Sequence, residues 1–200
     1  AGAQTFVASR SIEPLKKLAA ELKGKGGEVI PLSYDQIDEK SILALRDKIY
    51  KQAGRCDILV NNAVLRPMMK KGYEDDAATF DLSMKVNATG LFIITRAFGD
   101  AMAKAGRGAI VNIGSIHGMI APDPWLYVGT QSSGWYPDYF FHKAGVINYT
   151  RFVASYYGAK GVRCNCVSPG GYQTEKHDPV FLKNYSQRTF LGRMANDDDL

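Results

Sequence analysis

The sequence predicts an α/β fold in which a doubly wound parallel sheet lies between two layers of helices. Short apolar segments alternate along the chain with longer segments whose apolar residues recur at helical spacing. Strands that alternate with helices in this way form parallel sheets covered on both faces. A length of 200 residues and a hydrophobic content of 46% suit one domain with a substantial core, so we interpret residues 1–200 as a single domain.

The predicted elements follow one another without an internal repeat or a low-complexity linker. Five strands are predicted, at residues 5–8, 28–32, 56–60, 108–113 and 161–167. Helices are predicted at about residues 13–23, 38–53 and 80–105, and a further helix contains Tyr139.

Polar or small residues lie where the predicted strands end. They are Ser9, Arg10, Asp35, Asn61, Ser115, Pro169 and Gly170. Doubly wound sheets bind ligands beyond the carboxyl ends of their strands, in the crevice where the strand order reverses. We therefore expect these residues to lie along one edge of the sheet, where an extended dinucleotide would bind.

Tyr139 and Lys143 are four residues apart on a predicted helix, so their side chains lie on one face. An ammonium group beside a phenol stabilises the phenolate, which moves the phenol pKa from ~10 towards the range that a general acid/base requires. Alone, this spacing is also typical of an aromatic residue beside a solvated lysine.

Several motifs, taken together and in this order, resemble the short-chain dehydrogenase/reductase family. They are Asn61-Asn62-Ala63, Val86-Asn87, Ser115 after its strand, and Tyr139 with Lys143. The resemblance extends over residues 1–200 and implies a Rossmann-type fold and an NAD(P)-dependent oxidoreductase that moves hydride between the nicotinamide and a secondary alcohol or ketone. It implies that Ser115 holds the substrate oxygen and that Tyr139 exchanges its proton. Lys143 would bind the nicotinamide ribose, and Asn87 would organise a water for proton relay.

Three residues also have structural interpretations. Asn87, in the middle of its helix, could bond a nearby carbonyl, and Ser115 could cap a loop. Asp35 matches an acidic residue that contacts adenine in the family, but it could equally cap a helix.

The resemblance implies a cofactor site made of Ser9, Arg10, Asp35, Asn61, Ala63, Tyr139, Lys143, Pro169, Gly170 and Thr174. Val64 stands where the family has glycine, so the adenosine side of the site is expected to differ in shape. Arg10 follows the first strand in place of an acidic residue, which favours NADP. NAD remains the alternative, because Arg10 could instead stack on adenine.

The resemblance also suggests that the chain is incomplete at both ends. The family begins with a strand, a glycine-rich turn and a helix, and continues beyond residue 200 with a further strand. The first of those strands would lie between the strands at residues 5–8 and 56–60, so the sheet is expected to have a gap there.

Ser115 and Tyr139 are 24 positions apart, a longer interval than the family usually has. The additional residues include Trp125, Gln131 and Trp135, which could supply apolar walls and hydrogen bonds to a substrate pocket. Packing of this loop against a neighbouring subunit is the alternative.

We predict a polar hydroxy substrate such as a sugar, a sugar acid or a polyol. A 3-oxoacyl thioester is the enzymatic alternative. A catalytically inactive dinucleotide-binding or scaffold protein is the alternative from a different class, which Val64 and the absent glycine-rich turn favour.

Composition argues against several other classes. No apolar run reaches the ~20 residues that span a bilayer and residues 1–4 do not resemble a signal peptide, so a cytoplasmic protein without membrane partners is expected. The net charge of +5 is dispersed, which argues against nucleic acid. Three cysteines and three scattered histidines predict no metal site. By analogy with the family, we expect a homo-oligomer, either a tetramer or a dimer.

Overall fold

The computed structural model describes residues 2–25 and 27–199. Its strands are β1 (Gln4–Ser9), β2 (Glu28–Ser33), β3 (Ile58–Asn61), β4 (Gly108–Ile113) and β5 (Val162–Val167). Its α-helices are α1 (Ile12–Leu22), α2 (Glu39–Ala53), α3 (Ala77–Met84), α4 (Leu91–Lys104), α5 (Pro137–Gly158) and α6 (Pro179–Gln187). The predicted α/β fold class is confirmed, and β3 begins two residues later than predicted.

The strands are parallel but form two separate sheets. One sheet pairs β1 with β2, and the other has the order β3-β4-β5. Within the described residues no backbone pairing joins β1 to β3. The division falls where the sequence predicts a gap, so the parallel sheet is interrupted and not continuous.

One layer of helices spans the two sheets. Buried residues of α2 and α4, including Ile42 and Phe98, form one apolar cluster that contacts Phe6 of β1 and Leu59 of β3. Burial of large aliphatic and aromatic side chains is the main stabilising term in such a layer. The clustered side chains therefore hold the two sheets together without backbone hydrogen bonds between the sheets.

The opposite face of β3 is less covered. Ile58 and Val60, which alternate with Leu59, are 63% and 53% exposed. The described residues include no helix long and apolar enough to cross a bilayer. The same residues contain no group of three potential metal ligands.

The long helix predicted at residues 80–105 is interrupted in the middle. A π-helical segment, Lys85–Gly90, lies between α3 and α4. Gln36 Nε2 donates to Val86 O at 3.0 Å, and the backbone of Gly90 packs directly against Gln36. Wide helical turns of this kind often occur at functional sites, and this one carries Asn87.

Candidate active site

Tyr139 and Lys143 lie on one face of α5, as the four-residue spacing predicts. The helix begins at Pro137, a residue suited to the first helical position because its missing N–H has no intrahelical partner there. Lys143 Nζ lies 5.6 Å from the centroid of the Tyr139 ring. The phenol and the ammonium group are therefore neighbours, with the Tyr139 ring half-buried and the Lys143 side chain buried.

Lys143 is 6% exposed, and its ammonium group donates to Ile113 O at 2.5 Å. Burial lowers the pKa of Lys143 to about 8, because the charged form loses hydration. Cys166 opposes this shift, and the Arg66 guanidinium adds to it. The pKa of Lys143 is therefore well below that of an exposed lysine.

Ser115 lies on a loop that packs against the start of α5. Its Oγ accepts a hydrogen bond from His117 N at 3.1 Å and caps the 3₁₀-helix Ile116–Gly118. The ring of His117 in turn lies 6.1 Å from that of Tyr139 and stacks on Phe140 at 4.6 Å. The loop-capping interpretation is thus observed, yet the Ser115 hydroxyl retains its own hydrogen for a ligand.

Asn87 is buried and clamps the loop that follows β3. Its Oδ1 accepts from Leu65 N at 2.8 Å, while Nδ2 donates to Leu65 O at 2.6 Å and to Ser83 Oγ at 3.0 Å. The Asn87 side chain therefore bonds a nearby carbonyl, that of Leu65, as its structural interpretation expects. Both amide hydrogens are bonded to protein atoms, and the role of Asn87 in a proton relay stays a prediction.

The sequence analysis did not single out His142 as a site residue. Its ring lies 5.3 Å from the Tyr139 ring, and its Nδ1 is 2.8 Å from Asp138 O. Asp138 is itself buried and accepts from Ser83 Oγ at 2.6 Å. The four-residue spacings from Ser83 to Asn87 and from Asp138 to His142 are signals that could have found this buried polar cluster.

A cavity of about 480 Å³ lies at the carboxyl ends of β1, β2 and β3. Its walls include Ser9, Arg10, Asp35 and Ala63, four of the residues predicted to bind the cofactor. Among residues 2–25 and 27–199, the Arg10 guanidinium forms no ion pair. A free cation in a cavity of this size suits a phosphorylated nucleoside.

Two predicted cofactor residues have side chains engaged by the protein. Asp35 Oδ1 accepts from Ile37 N at 3.1 Å within its own loop, and Asp38 is the residue that caps α2. The helix-cap interpretation of Asp35 is therefore wrong. Asn61 Nδ2 donates to Thr95 Oγ1 at 3.1 Å and to Asn112 Oδ1 at 2.8 Å, inside the core.

The loop after β5 is held against both α6 and the loop of Ser115. Pro169 O accepts from Ile116 N at 3.1 Å. Gly170 packs against the buried Tyr185 of α6, where a Cβ atom would lie 2.9 Å from the phenol oxygen. Thr174 is exposed and forms a local turn with His177.

The inserted loop between Ser115 and α5 packs against α6. Asn184 Nδ2 donates to Leu126 O at 3.2 Å and to Val128 O at 2.9 Å, and Arg188 forms an ion pair with Asp123. The residues predicted to contact substrate, Trp125, Gln131 and Trp135, are all exposed. None of them is a wall residue of the 480 Å³ cavity.

The parallel strands, the cavity at their carboxyl ends and the Tyr139–Lys143 pair together define a dinucleotide-binding α/β protein. The family model described as short chain dehydrogenase matches residues 1–184. The chain belongs to this family, whose members are NAD(P)-dependent oxidoreductases that act on alcohols.

Two relatives and one solved structure illustrate the similarity. A 7alpha-hydroxysteroid dehydrogenase of Bacteroides fragilis is 31% identical over 199 residues, which cover 97% of this chain and 71% of that protein. A D-threitol dehydrogenase of Mycolicibacterium smegmatis is 32% identical over 177 residues, which cover 87% of this chain and 62% of that protein.

The crystal structure of a gluconate 5-dehydrogenase from Burkholderia cenocepacia J2315, in complex with NADP and tartrate, has the same fold. Its TM-score is 0.81 at 23% identity, and the match covers 98% of this chain and 74% of that one.

Proposed function

We propose that this chain transfers hydride between NADP(H) and a secondary alcohol or ketone, with Tyr139 as the general acid/base. The observation that carries the proposal is the placement of the Lys143 ammonium 5.6 Å from the Tyr139 ring, on one face of α5. The loop of Ser115 packs against the same end of this helix through His117. An oxygen-binding hydroxyl and a proton-transferring phenol are the groups that such a reaction requires.

Each residue has a separate role in this mechanism. The free hydroxyl hydrogen of Ser115 donates to the substrate oxygen and orients it. In the oxidative direction Tyr139, as the phenolate, takes the hydroxyl proton of the substrate, and in the reductive direction it returns that proton to the carbonyl oxygen. Lys143 stabilises the phenolate electrostatically, and Asn87 holds the loop at Leu65 in place. The bound nicotinamide supplies the hydride acceptor or donor.

We propose a sugar, sugar acid or polyol as the substrate class. The D-threitol dehydrogenase, a relative at 32% identity, is named for a polyol and supports this choice. The aromatic rings of Trp125 and Trp135 and the amide of Gln131 lie exposed on a loop that α6 fixes, which is consistent with recognition of a polar ligand.

A direct test measures the nicotinamide absorbance of the purified full-length protein with either NADP or NAD. The panel contains polyols, sugar acids and hydroxysteroids. We expect reduction of NADP with at least one polyol or sugar acid. Binding of NADPH without turnover of any compound would favour the non-enzymatic alternative, and turnover of hydroxysteroids alone would contradict the proposed substrate class.

The preference for NADP rests on Arg10. We expect Arg10→Ala to raise the KM for NADP about tenfold to a hundredfold, because a hydrogen bond to a charged phosphate is lost, and to change the KM for NAD little. Arg107→Ala is the matched control, since Arg107 precedes β4 at the opposite end of the strands and pairs with Asp57. Equal effects of Arg10→Ala on the two cofactors would contradict this role.

Association of identical copies stays a prediction, which a mass measurement by light scattering checks. Tyr149, Phe152 and Tyr156 stack along α5, with ring centroids 6.1 Å and 6.0 Å apart. Phe152 is 60% exposed. An exposed aromatic row on a long helix supports burial against a second subunit.

A further inference from the structure

His142 is a buried side chain that the mechanism above does not use. It is 4% exposed and directly precedes Lys143. Its Nδ1 lies 2.8 Å from Asp138 O and 3.5 Å from Asn87 Nδ2. The shorter contact is to a carbonyl, which can only accept, so we assign the ring hydrogen to Nδ1. Burial lowers the pKa of His142 to about 4, an effect that the Lys143 charge reinforces, so the ring is neutral at pH 7. Nε2 is then a bare acceptor.

His142 Nε2 is the one buried side-chain nitrogen or oxygen without a partner in the part of the chain that the structure describes. An unsatisfied buried polar atom destabilises the folded protein, so natural proteins rarely leave one without a partner. We therefore expect a hydrogen-bond donor to lie beside the neutral acceptor His142 Nε2.

His142 and Lys143 line the same small cavity. Its volume is about 20 Å³, which is enough for one water molecule. Its walls also include Asn61, Asn87 and Ile113. The amide donors of Asn61 and Asn87 are already bonded to protein atoms. Lys143 has three N–H groups and donates one of them to Ile113 O, so its other N–H groups can donate to a water molecule.

We propose that His142 is a positioning residue for Lys143, and that its Nε2 accepts from a water molecule in this cavity that in turn accepts from the Lys143 ammonium. The inference deepens the proposed function and rests on it for its catalytic consequence. A hydrogen-bonded chain that ends on a neutral acceptor stabilises the charged form of lysine and fixes the direction of its remaining N–H groups. His142 thereby keeps Lys143 charged beside Tyr139.

Several other groups near Lys143 or Tyr139 must be considered when the effect of His142 on the Lys143 pKa is measured. Arg66, from the loop after β3, disfavours the ammonium, while Cys166 of β5 favours it. His117 contacts Tyr139 from the Ser115 loop, and Asp138 lies one turn before His142. None of these groups changes in a His142 variant, so a shift in the Lys143 pKa reports either the loss of the Nε2 acceptor or a change in burial, and two variants are needed to separate them.

Two substitutions separate the two ring nitrogens. An asparagine amide can replace Nδ1–H and keep the bond to Asp138 O, but it does not reach the position of Nε2. The oxygen of a glutamine can occupy the position of Nε2. We expect His142→Asn to lower the Lys143 pKa by about one unit, as expected for loss of one water-mediated bond to a charged group, and His142→Gln to restore it.

The Lys143 pKa is measured by NMR of lysine labelled with ¹³C in the cofactor-free protein. In the reductive direction Tyr139 becomes the phenolate beside Lys143, so kcat for reduction is expected to fall as pH rises through the Lys143 pKa. In His142→Asn this fall moves to lower pH. Equal pKa values in the two variants would overturn the proposal, whatever their thermal stabilities. If no alcohol is turned over, the proposed function fails, and the NMR pKa still tests His142.

The wild-type protein offers an independent check that needs no variant. The nitrogen shifts of His142 must show Nδ1 protonated and Nε2 unprotonated at neutral pH. Observation of the Nε2–H tautomer would refute the proposed water contact, even if His142→Gln failed to fold.

Discussion

Tyr139→Phe is expected to lower kcat by about 10³-fold or more, because it removes the only group proposed to exchange the substrate proton. The ring keeps its contacts with His117 and His142, so the site retains its shape. Affinity for NADPH should change little, since Lys143 and the cavity that contains Arg10 are unaltered. Steady-state kinetics and a fluorescence titration with NADPH measure the two quantities.

Tyr156→Phe is the matched control for this experiment. Tyr156 lies on the same helix, is exposed and stacks on Phe152, so loss of its hydroxyl should leave kcat within about twofold. Turnover by Tyr139→Phe at the rate of this control would refute the acid/base assignment. A proportional loss of NADPH binding would instead indicate that the substitution disturbed the cofactor site.

Gly90→Ala is expected to destabilise the protein by about 3 kcal/mol. Gly90 ends the π-helical segment, and a Cβ atom there would overlap the carbonyl oxygen of Gln36 and lie 2.6 Å from its Cγ. Backbone atoms cannot move aside as the end of a flexible side chain can, so helix and loop must separate. Urea unfolding followed by circular dichroism measures the change.

Gly145→Ala tests whether the effect comes from contact or from helix propensity. A Cβ atom at Gly145, in the helix α5, meets nothing within 4 Å. This substitution should raise the free energy of unfolding by about 0.5–1 kcal/mol, because alanine is the better helix former. Equal stabilities of the two variants would contradict the close approach of Gly90 to Gln36.

The contact between Gly90 and Gln36 also affects the candidate active site through the π-helical segment. Asn87 precedes Gly90 by three residues and clamps Leu65, so displacement of the π-helical segment should also move the loop after β3. We therefore expect the Gly90→Ala protein to have a lower kcat at temperatures where it remains folded.

Much of the fold could be predicted from periodicity. The alternation of apolar strands with amphipathic helices predicted all five strands, and the family resemblance implied by the motifs is confirmed. The two-sheet arrangement depends on pairing between distant segments, which local patterns do not encode. The expected gap came from the family's strand order and not from periodicity.

The candidate site was predicted less evenly. Tyr139 and Lys143 follow from helical geometry, because residues four apart must share a face. The partners of Asn87 did not follow, since Leu65 is 22 positions away and meets it only after the loop has folded back. Their assigned roles, like those of the other site residues, stay predictions until the variants are measured.

The sequence by itself determined the order of the elements, the family, and the face of α5 that carries the phenol and the ammonium group. All three depend on spacings within a few residues or on motif order. Only the tertiary structure decided the burial that lowers the Lys143 pKa, the clamp on Leu65 and the unpaired nitrogen of His142. Hydration and hydrogen-bond pairing depend on which distant segments pack together, and that information does not exist in any single stretch of the chain.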